Sequence, residues 1–429
     1  MQALLSLAIA LFAGLMLSRL AKLVNLPAVT AYLVAGIVVG PYVLGSFGVE
    51  GLGFISSEDI KVYSIIPDVA LGFIAFSIGN EFRFSQLKKI GKQATVIGIV
   101  QAVFTTLLVD AALIALSFII PNNQFPLPAA IILGAVASAT APAATLMVVK
   151  QYKAKGPVTD VLLPVVALDD AVGLVLFAIS FGISKALMNG EIDIVSIILE
   201  PVLEVVLSLL LGLVMGLLFT FFERFFHSRS KRLAMSVTFV LMTVALSMLE
   251  FEIFGVHVAF SSLLVCMMLG TIFCNICDFS EELMARVDRW TAPLFILFFV
   301  ISGAEFELEV FGNYIVILIG VVYILTRCIG KYFGAFISAM STKCEPNIVK
   351  YLGVTLWPQA GVALGMAIKS ATIGGTVGEL VANITLFSVL IYELVGPFLT
   401  KVALTKAGEI KPEEKVSARE LAKQGTVVH

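Results

Sequence analysis

The stretch VALDDAVGLVLFAIS, residues 166–180, sets Asp169 and Asp170 side by side in an otherwise uncharged, apolar run. What two adjacent carboxylates do there depends on where the run lies. The chain has 429 residues, 59% of them hydrophobic and 14% charged, with a mean hydropathy of +1.03. A soluble domain of that composition would cover itself with apolar surface, so the composition indicates an all-α polytopic membrane protein. Many uncharged windows reach the roughly 20 residues that a bilayer-crossing helix needs. Transmembrane barrel strands are shorter and alternate in polarity, and these runs do neither.

Apolar runs between polar breaks predict thirteen spans, over about 2–18, 28–47, 62–80, 93–120, 127–149, 158–184, 194–222, 233–250, 256–275, 290–304, 312–341, 348–370 and 379–400. The first lacks the basic start and small-residue cleavage site of a signal peptide, and is expected to be a retained helix. Basic residues then orient the chain. Of 28, only Lys61, Lys185 and Lys369 fall in loops after even-numbered spans, and only Arg327 and Lys331 lie deep within one. The rest follow odd-numbered spans or lie in the C-terminal tail, which predicts a cytoplasmic C-terminus and an external N-terminus.

Other chemistries find little support. The five cysteines include one CxxC, Cys274 and Cys277, with no second pair, and small apolar packing is the expected role. There is no Walker loop, dinucleotide fingerprint, nucleophile–histidine–acid set or metal cluster, and no basic aromatic patch for nucleic acid. The sequence predicts neither an enzyme nor a cofactor. His257 is expected to sit at a helix end.

Two runs carry a proline well inside them: TAPAAT, residues 140–145, and LWPQAG, residues 356–361. Proline removes a backbone hydrogen bond and clashes with the preceding turn. Spans five and twelve are seven apart, as are the spans ending IGNEFRF and ISGAEFEL, so each pair has opposite orientation. That is the pattern of two inverted six-helix repeats whose interrupted helices cross at mid-membrane. Pro142 and Pro358 mark the interruptions, and Thr140 and Gln359 are placed to add side-chain oxygens.

Asp170 lies about 13 residues from the cytoplasmic start of span six, and Lys331 about 12 from the cytoplasmic end of span eleven. At ~1.5 Å per residue the depths agree within a turn. Neighbouring helical residues point about 100° apart, so one aspartate can pair with Lys331 while the other faces the crossing. A carboxylate at that depth is costly unless it is neutralised by a proton or a cation, and those two states exclude each other. Such competition is the minimum needed to exchange a monovalent cation, Na+ or K+, for protons. Asp170 is the first candidate ligand, with Asp169 and Thr140 beside it; Arg327 and Asp110 are candidates for the surrounding shell. Arg327, one turn from Lys331, either pairs with an acid or snorkels. The rival reading is a sodium-coupled symporter of an organic solute on a related fold, which would need a polar pocket for that solute.

These residues resemble the sodium/hydrogen exchanger superfamily, in its bacterial cation:proton antiporter family 2. The similarity covers nearly the whole chain and is carried by LPAVTAYLVAGIVVGP (26–41), FSIGNEF (76–82), ATAPAATL (139–146), LDDAVGL (168–174), GKYFGAF (330–336) and YELVGPFLTKVAL (392–404). It implies a multi-pass protein of the bacterial inner membrane, a homodimer working by elevator-like alternating access. The implied division is a dimerisation domain in two parts (1–90 and 231–310), a core ion-translocation domain in two parts (91–186 and 311–404), a linker helix (187–230) and a short cytoplasmic tail (405–429). Asp170 matches the family's cation- and proton-binding carboxylate. Asp169 matches the neighbour that pairs with the membrane lysine, here Lys331, in electrogenic members. The chain departs from many members of that family after Pro358, where PQAG stands in place of their arginine and glutamate.

Overall fold

The computed structural model describes residues 2–23, 26–49, 51–56, 60, 62–80, 82–120, 124–189, 199–249, 251–253, 256–305, 312, 314–371, 373 and 375–410. Among these residues the α-helices are α1 (Gln2–Leu23), α2 (Ala28–Val39), α3 (Ile65–Asn80), α4 (Phe84–Ile119), α5 (Leu127–Val136), α6 (Pro142–Tyr152), α7 (Pro157–Asn189), α8 (Glu200–Glu223), α9 (Arg229–Ser247), α10 (Ser262–Ile276), α11 (Ser280–Ala304), α12 (Tyr314–Ser341), α13 (Pro346–Thr355), α14 (Gly361–Ala371) and α15 (Gly375–Lys406). A two-stranded antiparallel ribbon, β1 (Phe251–Ile253) and β2 (Val256–Val258), precedes α10 and holds His257, which therefore sits in a strand and not at a helix end.

Each predicted run contains helix, and two are divided, into α5 with α6 and α13 with α14. Among the described residues, eight helices are long and apolar enough to cross a membrane: α1, α4, α7, α8, α9, α11, α12 and α15. Their outward faces are apolar; on α8, Leu210 and Phe221 are 50% and 55% exposed. The chain is a multi-pass membrane protein.

Helix ends depart from the apolar runs for simple reasons. α4 and α11 begin about ten residues before their apolar runs, taking in Lys88, Lys89 and Lys92, and Arg286 and Arg289. Lysine and arginine are good helix formers, so the helix outlasts the stretch that hydropathy marks. The second run, by contrast, stops being α-helical at Gly40, one residue before Pro41. The matching ends IGNEFRF and ISGAEFEL cannot be followed at Glu81 and Phe306–Leu308, nor the tail at 411–429, because they lie outside the described residues.

Close packing draws the helices into two groups. α2 and α11 meet at glycines: a side chain at Gly36 would strike the Val300 carbonyl, and one at Gly303 the Leu33 carbonyl. α3, α8 and α10 share an aromatic core, with Phe219 and Phe273 stacked at 4.4 Å beside Phe76. In the other group α4 lies against α12 through Gly330 and Gly334, whose Cβ positions would stand 2.9 and 2.8 Å from the Cα atoms of Thr105 and Gln101. α4 also approaches α7, where Gly98 faces Leu168. These glycines bring three helices to the level of Asp169, Asp170 and Lys331.

Candidate functional site

Residues 137–141 between α5 and α6, and 356–360 between α13 and α14, leave the helical path. Pro142 opens α6 at its first position, where the missing N–H costs nothing. The two interruptions touch: the Ala141 N–H donates to the Pro358 carbonyl at 2.9 Å. Ending a helix leaves carbonyls without intrahelical partners and a partial negative charge. Here two helix ends, those of α5 and α13, do so side by side.

Arg327 of α12 answers both. Its Nε donates to the Ala137 carbonyl at 2.9 Å, Nη2 to Ala139 at 2.6 Å and Nη1 to Trp357 at 2.7 Å. Only a guanidinium offers a planar fork with donors spread this way. The group is buried and lies 4.5 Å from the centre of the Tyr392 ring, while the Tyr392 hydroxyl donates to the Ile324 carbonyl at 2.8 Å. The sequence leads one to expect Arg327 to pair with an acid or to snorkel; instead it is buried, and among the described residues its donors go to orphaned carbonyls within reach. Gln359 completes the crossing, its Nε2 donating to the Val136 carbonyl at 2.8 Å and to the Tyr323 hydroxyl at 2.9 Å.

One turn beyond Arg327, Lys331 is buried and places Nζ 2.6 Å from Asp169 Oδ2. It also donates to Thr140 Oγ1 at 3.0 Å and to the Ser138 carbonyl. The Thr140 hydroxyl in turn donates to Asp169 Oδ2, and Gln101 Nε2 donates to Oδ1 at 2.5 Å. Asp169 therefore meets both the lysine and the crossing, and both its oxygens are engaged.

Asp170 is the opposite case. It is 1% exposed, and neither carboxylate oxygen has a hydrogen-bond partner among the described residues. One turn further along α7, Gly173 faces Ser138 Oγ and Met366 Cε, so this side of the helix looks onto the two interruptions. Asp170 thus offers oxygens chemically able to take a proton or a cation, whereas those of Asp169 and Thr140 are already in use.

The structure thus gathers Asp169, Asp170, Lys331, Arg327, Thr140, Pro142, Pro358 and Gln359. Asp110 stands apart: it lies more than two turns from Gln101 along α4, packs against Gly134, and keeps Oδ1 without a partner. Gln101, Ser138 and Tyr323 escape a reading of the sequence. For Gln101 a signal exists, a lone amide amid apolar neighbours, but attention to charge passes over it.

A cavity of about 1240 Å³ opens where α6 ends and α7 begins. Arg83, Lys150, Lys153, Asp160 and Asp288 line it, and along α7 it reaches Leu163 and Pro164, less than two turns before Asp170. Across it Lys150 of α6 pairs with Asp288 of α11 at 2.6 Å and donates to Ser77 of α3 at 3.1 Å.

The family model described as "Sodium/hydrogen exchanger, transmembrane" matches residues 7–406. The chain belongs to the sodium/hydrogen exchanger family. Membership makes it a transporter, of a family that exchanges Na+ and H+. Two structures of the sodium proton antiporter MjNhaP1 from Methanocaldococcus jannaschii are similar in fold. One, determined at pH 8, has a TM-score of 0.68 at 18% identity, covering 96% of this chain and 99% of that one. The other, from electron microscopy, has a TM-score of 0.74 at 16% identity, covering 95% and 98%. No curated protein sequence matches the chain.

Proposed function

We propose that this exchanger moves a monovalent cation, Na+ first and K+ second, against protons across the cell membrane, with Asp170 as the shared binding group. One observation carries the reading: a buried carboxylate with two free oxygens beside an aspartate whose oxygens are both engaged. An unpaired carboxylate in that setting is costly as an anion, so a proton or a cation must neutralise it, and only one of them at a time. Backbone carbonyls of the interrupted segments are the natural further ligands.

Asp169 and Lys331 make transport electrogenic in this reading, because Lys331 releases its proton when its aspartate partner turns to the cation. The cavity beside Leu163 is the cytoplasmic approach, in keeping with the lysines and arginines around it. Access alternates when α4–α7 and α12–α15 move as a core against a dimerisation scaffold of α1–α3 and α9–α11, so the Lys150–Asp288 contact breaks on each cycle. The same reading gives thirteen spans in two inverted repeats, an external N-terminus and a homodimer.

The test uses proteoliposomes with an imposed inside-acid pH gradient, adding external Na+, Li+ or K+ in turn. Cation-triggered collapse of the gradient in wild type, absent in Asp170→Asn, is the expected result. Folded protein that answers to no cation across a broad pH range would overturn the reading.

A further inference from the structure

Asp169 and Asp170 are chemically identical neighbours on one helix, yet Lys331 takes only one of them. Thr140 does not explain the choice alone, since it binds the same Oδ2 that the lysine holds. The other oxygen is fixed by Gln101. This residue is fully buried on α4; its Nε2 donates to Asp169 Oδ1 at 2.5 Å and to the Gly98 carbonyl at 3.1 Å. Its own Oε1 is buried with no partner among the described residues, so the amide accepts an unsatisfied acceptor while both contacts of its nitrogen point inward. Leaving such a group unpaired is costly, and a leucine at this place would avoid it. The backbone is shaped around the contact: Gly334 lets α12 close onto Gln101, and Gly98 lets α4 close onto Leu168 beside the aspartates.

We propose that Gln101 is a positioning residue that assigns Lys331 to Asp169 and so keeps Asp170 open to the transported cation. The inference rests on the exchange reading and deepens it. With Gln101 in place, Asp169 has a donor on each oxygen, and Lys331 gains nothing by turning to its neighbour. Without it, Asp169 Oδ1 is bare, the aspartate turns away more readily, and Lys331 is freed to approach Asp170. The lysine then competes with the cation for the same oxygens. A hydrogen bond to a charged group is worth roughly ten-fold or more in an equilibrium of this kind.

The experiment measures Na+-dependent exchange in proteoliposomes for wild type, Gln101→Leu and Gln101→Met, each also made in a Lys331→Met background. Na+-dependent thermal stabilisation in detergent is recorded in parallel, so that a variant too slow to assay still reports its affinity. The expected result is a rise of roughly ten-fold in the half-saturating Na+ concentration, with turnover at saturating Na+ kept within about two-fold. In the Lys331→Met background the same substitutions leave Na+ affinity unchanged, because no competing ammonium remains. Mere loosening of packing would lower turnover and stability without this dependence on Lys331. Unaltered Na+ affinity in Gln101→Leu and Gln101→Met, or an equal shift in both backgrounds, overturns the proposal while the exchange reading stands. Absence of exchange in wild type overturns that reading instead.

Discussion

The N–H of Ala141 donates to the carbonyl of Pro358 at 2.9 Å, so two segments more than 200 residues apart are joined backbone to backbone where both leave the helical path. The contact answers an electrostatic difficulty. Two helix C-termini, at Val136 and Thr355, end close together and would repel each other and any nearby carboxylate. Arg327 lies between them and binds carbonyls from both segments. PQAG carries no charge after the second proline, and a guanidinium reaching in from α12 supplies positive charge here.

Arg327→Lys is therefore expected to be far from conservative. A lysine keeps the charge but cannot reach three carbonyls from one fixed plane. A hydrogen bond to a charged group contributes about 1.5–3 kcal/mol, so losing two of the three should destabilise the protein by about 3–6 kcal/mol. Thermal unfolding in detergent checks this. A melting curve superimposable on wild type would show that the carbonyls find other donors.

Asp170→Asn should abolish cation-coupled proton movement while leaving the melting temperature equal to or above that of wild type. The amide is nearly isosteric and removes a buried group whose oxygens have no partner. Exchange is read by pH-gradient collapse and folding by size-exclusion profile and melting. Residual exchange near the wild-type rate would move the binding group elsewhere.

The interrupted helices were legible because proline in mid-run has few physical readings, but proline alone is an incomplete signal. Pro164, Pro293 and Pro397 lie inside α7, α11 and α15, which continue past them. What sets Pro142 and Pro358 apart is the tertiary partner: each break faces the other, and Arg327 and Gln359 satisfy the freed carbonyls. For the first break such partners lie 190 and 223 residues away, at Arg327 and Gln359, and leave no local trace. Likewise the depth of Lys331 could be counted from the sequence, but the engagement of both Asp169 oxygens depends on Gln101, an uncharged residue on a third helix.

Lys331→Met should cost more stability than the double variant with Asp169→Asn. Removing the lysine alone leaves a buried, uncompensated carboxylate, and breaking such a pair typically costs about 3–5 kcal/mol. Neutralising both partners removes the stranded charge, so the double variant should recover a good part of that loss. Unfolding midpoints of the three variants decide the matter. Additive losses would mean that the 2.6 Å contact contributes no coupling.

The last expectation concerns the far end of α7. Glu409, beyond the end of α15, is 5% exposed and folds back so that Oε1 accepts from the Val158 N–H at 2.6 Å and Oε2 from the Thr159 N–H at 2.8 Å and the Thr159 hydroxyl at 2.6 Å. A carboxylate there satisfies orphan donors of the first turn and complements the helix dipole. Because α7 carries Asp169 and Asp170, the chain after α15 thereby braces the helix that holds the site. Glu409→Ala should destabilise the protein by about 1–2 kcal/mol, the scale of a lost N-cap. Glu409→Gln, which keeps an acceptor but loses the charge, should cost less than Glu409→Ala. Equal losses for the two variants would mean that the amide brings none of the carboxylate's capping, and unchanged melting in both would show that α7 is held without this cap.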